Sequence, residues 1–548
     1  MPRNGVNALY YGDNLPILRE YIRDESVDLI YLDPPFNSNR NYNVLFKDVG
    51  SKLASPAQIE AFEDSWHWTE SAQHAFEEVA LHGTDNTARL LKAMVDALGR
   101  NDVTAYLSMM AVRLIELKRV LKPTGSIYLH CDPTASHYLK VLMDSIFGAR
   151  NFRNEIAWKR TNARSTEGRW PRIHDVLLFY SKSDQFKYST TVVAADKAKL
   201  PHTLITGAGG DSYQTYELTG PGQTSEGQSG QPWRGFDPSK MGRHWANTFA
   251  TMDGWDKLGL IHWPKNNGFP RRRSATPFDE DLRSVTVGDV WTDVDRINQA
   301  AKERLGYPTQ KPLALLERII AASSDEGGLV LDPFCGCGTA VHAAEKLGRK
   351  WIGIDITHLA IGLIRRRMED AFPPLKGKIK VVGTPVDLPG AQELASRDPY
   401  QFQWWAVDRV DAQPVSGERK KGMDRGVDGV IPFLEGSVDR KRVIVSVKAG
   451  NLTPAFVRDL KGVLDREGEP IGVLLTLKEP TREMKTEAVA AGKYHSERWR
   501  RDYPRIQIIT AADLLNGKKV DMPPQLSDTF AQAPRERTTE GKQPGLGL

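Results

Sequence analysis

The tetrapeptide at positions 33–36 carries residue types that could orient an amino group for reaction. The Asp33 carboxylate can accept one hydrogen of an exocyclic amine, and the Pro34 carbonyl can accept the other. These contacts would orient a poor nucleophile, because the nitrogen lone pair is delocalised into the ring. Phe36 offers a stacking face for a base lifted out of a duplex. A strand-ending turn with a buried phenylalanine is the alternative explanation for this segment, which reads Asp33, Pro34, Pro35, Phe36.

A second segment with chemical potential lies at positions 331–339, where an apolar strand turns into a helix. Its glycines let the backbone approach a ligand closely, as in turns that cradle nucleotide-like cofactors. Asp355 follows at the end of the next strand, where doubly wound sheets place the acid that binds a ribose. A tight turn without a ligand is the alternative, and the dinucleotide pattern GxGxxG is absent.

Alternating strands and helices are predicted to position these two segments. The apolar run 27–32 predicts a buried parallel strand, and apolar residues spaced by three and four from Leu107 to Leu117 predict a helix. The stretch 122–125 is expected to end this helix before a strand at 126–130. The other predicted elements are strands at 174–180, 329–331 and 351–354 and a helix at 339–347. This alternation indicates an α/β sheet.

Between positions 184 and 296 the periodicity fades, and Gly, Pro, Trp and Arg become frequent, which indicates a loop-rich inserted module. Cations beside aromatic residues in and just before this insert fit phosphate contacts and base stacking. A solvated basic loop with core tryptophans is the alternative. The residues concerned are Trp158, Lys159, Arg160, Arg164, Trp233, Trp245, Trp255, Trp263, Arg271, Arg272 and Arg273.

The C-terminal part has a different pattern, with a helix predicted over 391–410 and strands over 443–448 and 471–476. A separate domain is therefore expected there. After about position 518 the chain is rich in Pro, Gln, Thr and charged residues, so this tail is expected to be disordered.

Composition narrows the class of protein. The 548 residues are 40% hydrophobic and 26% charged, without an apolar run of membrane-spanning length, so a soluble protein of several folded units is expected. The N-terminus lacks a signal-like apolar segment, which favours the cytoplasm. Cys131, Cys335 and Cys337 are too few for a disulfide framework and are expected to be reduced thiols. The net charge of +5 permits a polyanionic partner.

Together, the tetrapeptide and the glycine-rich turn resemble the catalytic and cofactor motifs of amino-group DNA methyltransferases. The catalytic motif comes first and the insert lies between the motifs, an order that resembles the permuted β class, with its adenine methylases and type III modification subunits. The resemblance covers about positions 7–383. Further matching motifs are Tyr11-Gly12-Asp13-Asn14-Leu15, Leu129-His130-Cys131-Asp132 and Tyr307-Pro308-Thr309-Gln310-Lys311-Pro312.

This resemblance implies a Rossmann-like fold that binds S-adenosylmethionine and transfers its methyl group to adenine N6 in DNA. Asp13 would contact the cofactor's adenine, Thr309 and Lys311 its methionine carboxylate, and Asp355 its ribose hydroxyls. Relatives acting on cytosine N4 commonly carry Ser in place of Asp33, so cytosine N4 is the alternative target. The alternative that is not an enzyme is a DNA-binding protein without catalytic activity. The implied cofactor-binding set is Asp13, Thr309, Lys311, Asp332, Phe334, Gly336, Gly338, Thr339 and Asp355.

The segments 421–431 and 443–450 resemble the PD-(D/E)XK nuclease core, which implies an α/β restriction-endonuclease-like domain. A hairpin would bring Asp428 close to Lys448, and by this resemblance Asp428 would bind Mg²⁺ while Lys448 positions water. Ser446 stands where a second acid is expected, and a hydroxyl is a weaker Mg²⁺ ligand than a carboxylate. The sequence leaves two interpretations of this domain: an active nuclease, and an inactive module that binds DNA or docks a partner.

The expected organisation has five parts, whose order follows the motifs. Double-stranded DNA, a separate restriction subunit and a second copy of the chain are the partners considered, in restriction-modification or epigenetic marking, and no membrane partner is expected. The parts are the catalytic part of the methyltransferase at 1–183, the target-recognition insert at 184–296, the cofactor-binding part at 297–388, the nuclease-like domain at 389–517 and the tail at 518–548.

Overall fold

A computed structural model of the chain shows two compact units. The smaller unit, Thr190–Gly288, lies within the predicted insert, and the larger unit holds the rest of the chain. No helix among the described residues is both long and apolar enough to cross a membrane. The structure describes residues 7–35, 68–163, 168–194, 204–206, 212–224, 227–264, 268–275, 284–298, 301, 303–305, 310–414, 426–435 and 440–524.

The N-terminal part of the larger unit alternates strands with helices, as predicted. The helix expected around Leu107 begins after Asn101. The Asn101 side chain accepts a hydrogen bond from the Thr104 amide, and the Thr104 hydroxyl accepts one from the Asn101 amide, which forms a capping box. The elements are β1 (Ala8–Tyr11), α1 (Asn14–Tyr21), β2 (Val27–Leu32), α2 (Glu70–His82), α3 (Asp85–Leu98), α4 (Asp102–Val120), β3 (Leu121–Cys131), α5 (Ser136–Phe147), β4 (Phe152–Lys159) and β5 (His174–Ser181).

The predicted end of the helix is confirmed, since α4 ends at Val120. The predicted start of the next strand at Ser126 is wrong, because β3 already begins at Leu121. Val27 of β2 pairs with Leu121, and the next pair joins Leu29 to Ser126. The additional residues of β3 therefore form an irregularity within the strand and do not end it.

The described residues of the smaller unit form short strands and an α-helix around a small aromatic core. Trp233, Trp245 and Met252 are buried in this core, and Phe236 and Phe269 pack against it. For these two tryptophans, the expectation of base stacking is wrong, because their rings stabilise the unit itself. The elements are β6 (Val192–Ala194), β7 (Leu204–Thr206), β8 (Ser212–Glu217), β9 (Thr219–Pro221), β10 (Arg243–Trp245), α6 (Phe249–Lys257), β11 (Ile261–His262), β12 (Arg271–Arg273) and β13 (Ser284–Thr286).

The chain then returns to the first sheet, and the strands and helix predicted for the glycine-rich turn are confirmed. The elements are β14 (Val290–Trp291), α7 (Leu313–Ser323), β15 (Leu329–Asp332), α8 (Thr339–Lys346), β16 (Lys350–Asp355), α9 (His358–Ala371) and β17 (Lys380–Val382).

Nine of the described strands form one sheet in the order β14-β4-β5-β3-β2-β15-β16-β1-β17. The strands from β3 to β17 in this order are parallel, whereas β5 is antiparallel to both β3 and β4. The order of the strands along the chain reverses between β2 and β15. Ligands of such sheets bind outside the carboxyl ends of the strands at this reversal. The α/β fold with permuted motif order is therefore confirmed.

The C-terminal part has a sheet and core clusters of its own but belongs to the larger unit. The single helix predicted over 391–410 is wrong, because Asp398 caps a new helix and Pro399 starts it. The elements are α10 (Leu388–Arg397), α11 (Pro399–Arg409), β18 (Gln413–Pro414), β19 (Gly429–Leu434), β20 (Arg440–Lys448), α12 (Ala455–Glu467), β21 (Ile471–Thr476), α13 (Arg482–Ala490), β22 (Lys493–Ser496), β23 (Arg501–Pro504), β24 (Ile506–Thr510) and α14 (Ala511–Leu515).

The predicted hairpin is confirmed, since β19 and β20 pair antiparallel within the sheet β18-β19-β20-β21-β24. The disordered tail predicted from 518 is wrong at its start. Val520 and Met522 pack against the C-terminal core, and Asp521 exchanges backbone hydrogen bonds with the Gln507 side chain. The remainder of that prediction, from position 525, lies outside the described residues.

Candidate active site

Two adjacent parallel strands bring the two candidate motifs together. Leu331 of β15 is in register with Ile30 of β2, and Asp33 and the glycine-rich turn follow these strands directly. Neighbouring strands lie about 4.8 Å apart. Asp13 follows the nearby strand β1, and Asp355 is the last residue of β16, at the same edge. The sheet therefore places the proposed amino-group motif beside the proposed cofactor turn.

The glycine-rich turn depends on glycine at two positions. Gly336 and Gly338 have φ values of +53° and +75°, which side chains rarely adopt. A Cβ on Gly338 would also lie 2.9 Å from Ile364. The Gly336 amide donates to Asp355 Oδ2 at 2.9 Å, and Gly338 precedes α8 as its N-cap. The turn thus holds backbone amides at the start of a helix, close to the Asp355 carboxylate.

Asp355 is fixed by three donors at the end of β16. Besides the Gly336 amide, its carboxylate accepts from the Thr357 amide and the Thr357 hydroxyl, both at 2.9 Å. Burial raises the pKa of Asp355 to about 6, although these hydrogen bonds act in the opposite direction. The carboxylate is thus oriented by its partners, and it is ionised above about pH 6.

Asp332 lies between two other carboxyl groups and is buried. Burial is the largest cause that raises its pKa to about 8, and the charges of Asp33 and Asp355 raise it further. The Phe334 amide donates to Asp332 Oδ1 at 3.0 Å, and this contact and Lys311 lower the pKa. At neutral pH Asp332 is therefore mainly protonated, which lets it act as a hydrogen-bond donor in the turn.

Two further members of the cofactor set support the turn from within. Phe334 packs against the core of the large sheet, and Thr339 is buried at the first position of α8. Arg367 of α9 donates to the Cys337 carbonyl at 2.9 Å and lies 3.4 Å from the Thr339 hydroxyl. Sequence reasoning missed Arg367, whose only signal was an arginine within an otherwise apolar helical stripe. The three cysteines are buried free thiols.

Asp33 is paired with Lys311, whose ammonium contacts Asp33 Oδ2. Both side chains are largely buried, with 17% and 13% of their area exposed, so the pair is shielded from solvent. The Lys311 contact with a cofactor carboxylate stays a prediction. Pro34 is buried and Pro35 is partly buried, whereas Phe36 and Thr309 lie outside the described residues.

Asp13 combines two structural contacts with an exposed face. Its Oδ1 accepts from the Leu15 amide at 3.0 Å, which caps α1, and from Arg113 at 2.8 Å. Arg113 also donates to Asn14 Oδ1 at 2.7 Å, and Asn14 donates to the Pro333 carbonyl at 2.9 Å. These bonds connect the end of β1 to the glycine-rich turn. Arg113 and Asn14 were missed because their partners are far away in sequence.

A series of buried polar side chains runs behind the candidate catalytic motif. The Tyr31 hydroxyl lies 2.9 Å from His130 Nδ1, and His130 Nε2 lies 3.3 Å from Asp175 Oδ2. Arg160 approaches the other Asp175 oxygen at 3.2 Å. Burial alone would raise the pKa of Asp175, but the His130 hydrogen bond and the charge of Arg160 bring it below its ordinary value. These hydrogen bonds connect β2, β3 and β5. Tyr31, at one end of the series, lies two residues before Asp33.

One known protein family matches more than half of this chain. Residues 27–365 match a family model for N6 and N4 methyltransferases that is described as DNA methylase. That match spans more than half of the chain and contains the catalytic motif, the insert and the glycine-rich turn. This chain belongs to the DNA methylase family.

Relatives of this DNA methylase include a Type II methyltransferase and a subunit of a Type III restriction-modification enzyme. It is 28% identical over 397 residues to the Type II methyltransferase M.EcaI of Enterobacter cloacae, covering 72% of this chain and 76% of the relative. It is 27% identical over 375 residues to the Type III restriction-modification enzyme StyLTI Mod subunit of Salmonella typhimurium, covering 64% and 51%. A solved structure of the cytosine-N4-specific PvuII DNA methyltransferase aligns at 15% identity over 66% of this chain and 86% of that chain, with a TM-score of 0.31.

The C-terminal part of the methylase does place Asp428 beside β20, but its carboxylate already has several donors. Gln403 donates to Asp428 Oδ1 at 2.8 Å, and the Val447 amide donates to Oδ2 at 2.7 Å. The Ser446 hydroxyl lies 3.3 Å from the same oxygen. The Lys448 ammonium lies 5.4 Å from the centre of the Phe456 ring. Asp428 therefore holds the hairpin and α11 together through neutral donors.

This region also has a match of its own. Residues 403–516 match a family model described as NACHT-associated inactive Restriction Endonuclease 1. Within the described parts of the chain, no group of three or more His, Cys, Asp or Glu side chains could hold a metal ion. The restriction-endonuclease-like domain is thus confirmed, and Mg²⁺ binding by Asp428 gains no support.

Proposed function

We propose that this DNA methylase transfers a methyl group from S-adenosylmethionine to adenine N6 in double-stranded DNA. The observation that carries the proposal is the adjacency of β2 and β15, which puts Asp33 next to the glycine-rich turn. A carboxylate that accepts amino hydrogens must lie within hydrogen-bond reach of the reacting nitrogen. The methyl donor must lie close to the same nitrogen, and a cofactor held by the glycine-rich turn beside Asp33 would meet this demand.

The residues around the turn fit S-adenosylmethionine. Gly336 and Gly338 keep side chains away from the cradle, and Asp355 presents an oriented carboxylate suited to ribose hydroxyls. Asp13 has a side chain that is 45% exposed at the same edge, where it can meet the cofactor's adenine. When bound, S-adenosylmethionine supplies an electrophilic methyl group on a positively charged sulfur.

Asp33 orients the target amino group in this proposal. One carboxylate oxygen contacts Lys311, and the carboxylate accepts a hydrogen from the amine while the Pro34 carbonyl accepts the other. Drawing both hydrogens to one side directs the nitrogen lone pair towards the methyl donor. Lys311 fixes the carboxylate before the base arrives, which lowers the entropy lost on positioning.

Adenine is favoured over cytosine because the motif begins with Asp33, whereas cytosine-N4 relatives commonly carry serine there. The family covers both reactions, so N4-methylcytosine is the second candidate product. A restriction-modification setting is supported by the StyLTI Mod subunit, a relative that is named as part of a restriction-modification enzyme. By analogy with the Mod subunit, a separate restriction subunit is the proposed partner. A homodimer and a cytoplasmic location stay predictions.

The test is transfer of tritiated methyl groups from S-adenosylmethionine to unmethylated genomic DNA by the full-length protein. The labelled DNA is digested to nucleosides, which are then separated and identified by mass spectrometry. Label on N6-methyladenine is the expected result. Label on N4-methylcytosine would reverse the assignment of the base, and absence of both products would contradict the proposed reaction.

A further inference from the structure

The loop between β4 and β5 carries an unusual surface group. Trp170 has 92% of its area exposed, the largest exposure of any large hydrophobic side chain among the described residues. Arg169 precedes it, and Pro171 and Arg172 follow it. A large apolar ring in water between two cations is an arrangement typical of surfaces that stack on nucleic-acid bases.

The base of this loop is well anchored. The amides of Arg160 and Thr161 donate to the Ile173 carbonyl at 2.9 and 3.2 Å. Arg160 also approaches Asp175 at 3.2 Å, and Trp158 donates to the Val294 carbonyl at 2.9 Å. Pro171 restricts the backbone next to Trp170. The exposed ring is therefore presented by a loop whose two ends are fixed to the sheet.

The loop lies at the catalytic edge of the sheet. Strand β4 ends and β5 begins at the same edge as Asp33, because β5 is antiparallel to β3 and β3 is parallel to β2. In the sheet β5 is two strands away from β2, a separation of about 10 Å, or roughly three base-pair steps. DNA that delivers a base to Asp33 must pass this edge, so the loop is within reach of the duplex.

We propose that residues 168–172 form a DNA-contacting loop in which Trp170 stacks into the space left when the target base leaves the helix. Arg169 and Arg172 contact the flanking phosphates. A flipped base leaves its neighbours without a stacking partner, and an aromatic ring restores that contact. This inference rests on the proposed function, because it needs a duplex from which a base is removed.

The test measures binding of the full-length protein to two fluorescent duplexes of mixed sequence by anisotropy. One duplex is intact, and the other contains a single abasic nucleotide that mimics the vacated position. The wild type is expected to bind the abasic duplex about tenfold more tightly than the intact one, and Trp170→Ala to lose this preference. Trp170→Phe is expected to retain part of it, because a phenyl ring also stacks.

Trp499→Ala is the matched control, because Trp499 is also an exposed tryptophan but lies in the C-terminal part. It should keep the full preference for the abasic duplex. Arg172→Ala should weaken binding to both duplexes alike. It should also reduce the slope of the logarithm of the binding constant against the logarithm of salt concentration by about one. Thermal unfolding of Trp170→Ala and Arg172→Ala should match the wild type, since these two side chains are exposed.

An unchanged abasic preference in Trp170→Ala, or equal binding of both duplexes by the wild type, would overturn the assignment of the loop. The methylation assay separates this failure from failure of the proposed function. A wild type that methylates genomic DNA but shows no dependence on Trp170 contradicts the loop alone. A wild type that neither methylates nor binds either duplex contradicts both proposals.

Discussion

The carboxyl groups of Asp33, Asp332 and Asp355 lie at the ends of neighbouring strands, yet their surroundings differ. Asp33 has a lysine partner, Asp355 has three hydrogen-bond donors, and Asp332 has one backbone amide beside two other acids. Like charges at short range disfavour ionisation, and burial adds to this effect. The site thus keeps a proton on Asp332 while Asp33 remains available as an acceptor.

Replacing Asp332 by asparagine should change how stability depends on pH. Burial raises the pKa of Asp332 from 3.8 to about 8. Between these two pH values the folded state therefore holds a proton on this carboxyl group that the unfolded state has lost. The wild type should therefore lose unfolding free energy relative to Asp332→Asn as pH rises towards 8, by up to about 1.4 kcal/mol per pH unit. Urea unfolding of both proteins at several pH values measures this difference. If the difference in unfolding free energy between the two proteins did not change with pH, the raised pKa of Asp332 would be contradicted.

Cofactor affinity should fall at acidic pH through Asp355. Its pKa is raised to about 6 by burial, and ribose hydroxyls donate to the ionised carboxylate. The affinity for S-adenosylmethionine is thus expected to be constant above pH 6 and to decrease as pH falls through this value. Calorimetric titration measures the dissociation constant, with Asp355→Asn as the control that binds weakly at every pH. An equally steep decrease in the variant would assign the effect to another group.

At the scale of elements, helix α9 connects the cofactor site to the C-terminal part. It begins directly after Asp355 and Thr357, and its first residue, His358, stacks on Tyr11 with ring centres 3.6 Å apart. Further along, Arg365 and Arg366 each lie 3.3 Å from the Asp408 carboxylate of α11. Helix α11 therefore packs against the helix that follows Asp355.

Gly362 of α9 should not tolerate a side chain, because a Cβ there would lie 2.3 Å from Asp408 Oδ1. Gly462 of α12 is a matched helical glycine with nothing within 4 Å of its Cβ position. Alanine is favoured over glycine in helices by about 0.5–1 kcal/mol, so Gly462→Ala should raise the melting temperature. Gly362→Ala should lower the melting temperature, because the new methyl group would push the Asp408 carboxylate away from Arg365 and Arg366. Thermal unfolding tests both, and stabilisation by both substitutions would contradict the close packing of α9 on α11.

The sequence predicted elements best where a local pattern determined them. The apolar run 27–32 and the turn at 331–339 were located correctly because burial and glycine geometry act within a few residues. The break between α10 and α11 was missed although Asp398 and Pro399 signalled it. The chain from Tyr31 through His130 to Asp175 could not be predicted, because its contacts join residues on separate strands that only the sheet order brings together.

At the scale of the whole molecule, the restriction-endonuclease-like region packs against the methylase sheet. Its core includes Tyr11 from the end of β1 among the packed side chains, so it contacts the strand that leads to Asp13. The sequence left open whether this region is an active nuclease. Ser446 at the position of an acid and neutral donors around Asp428 favour an inactive module.

The intact protein should therefore leave plasmid DNA uncut in the presence of Mg²⁺. Asp428 should instead contribute to stability, because its removal leaves the Val447 amide without this acceptor at a cost of about 1–3 kcal/mol. Agarose gels of supercoiled plasmid measure cleavage, and thermal unfolding measures the loss in Asp428→Ala. Mg²⁺-dependent nicking that disappears in Lys448→Ala would show that the region is a nuclease after all.

The most direct test of the central claim separates cofactor binding from methyl transfer in Asp33→Ala. Asp33 lies at the end of β2 and, in the proposed mechanism, acts on the amino group of the base, whereas the glycine-rich turn and Asp355 bind the cofactor. The variant should thus bind S-adenosylmethionine with nearly the wild-type dissociation constant but transfer methyl groups to DNA at least about a hundredfold more slowly. Transfer at the wild-type rate by Asp33→Ala would contradict the assignment of this site.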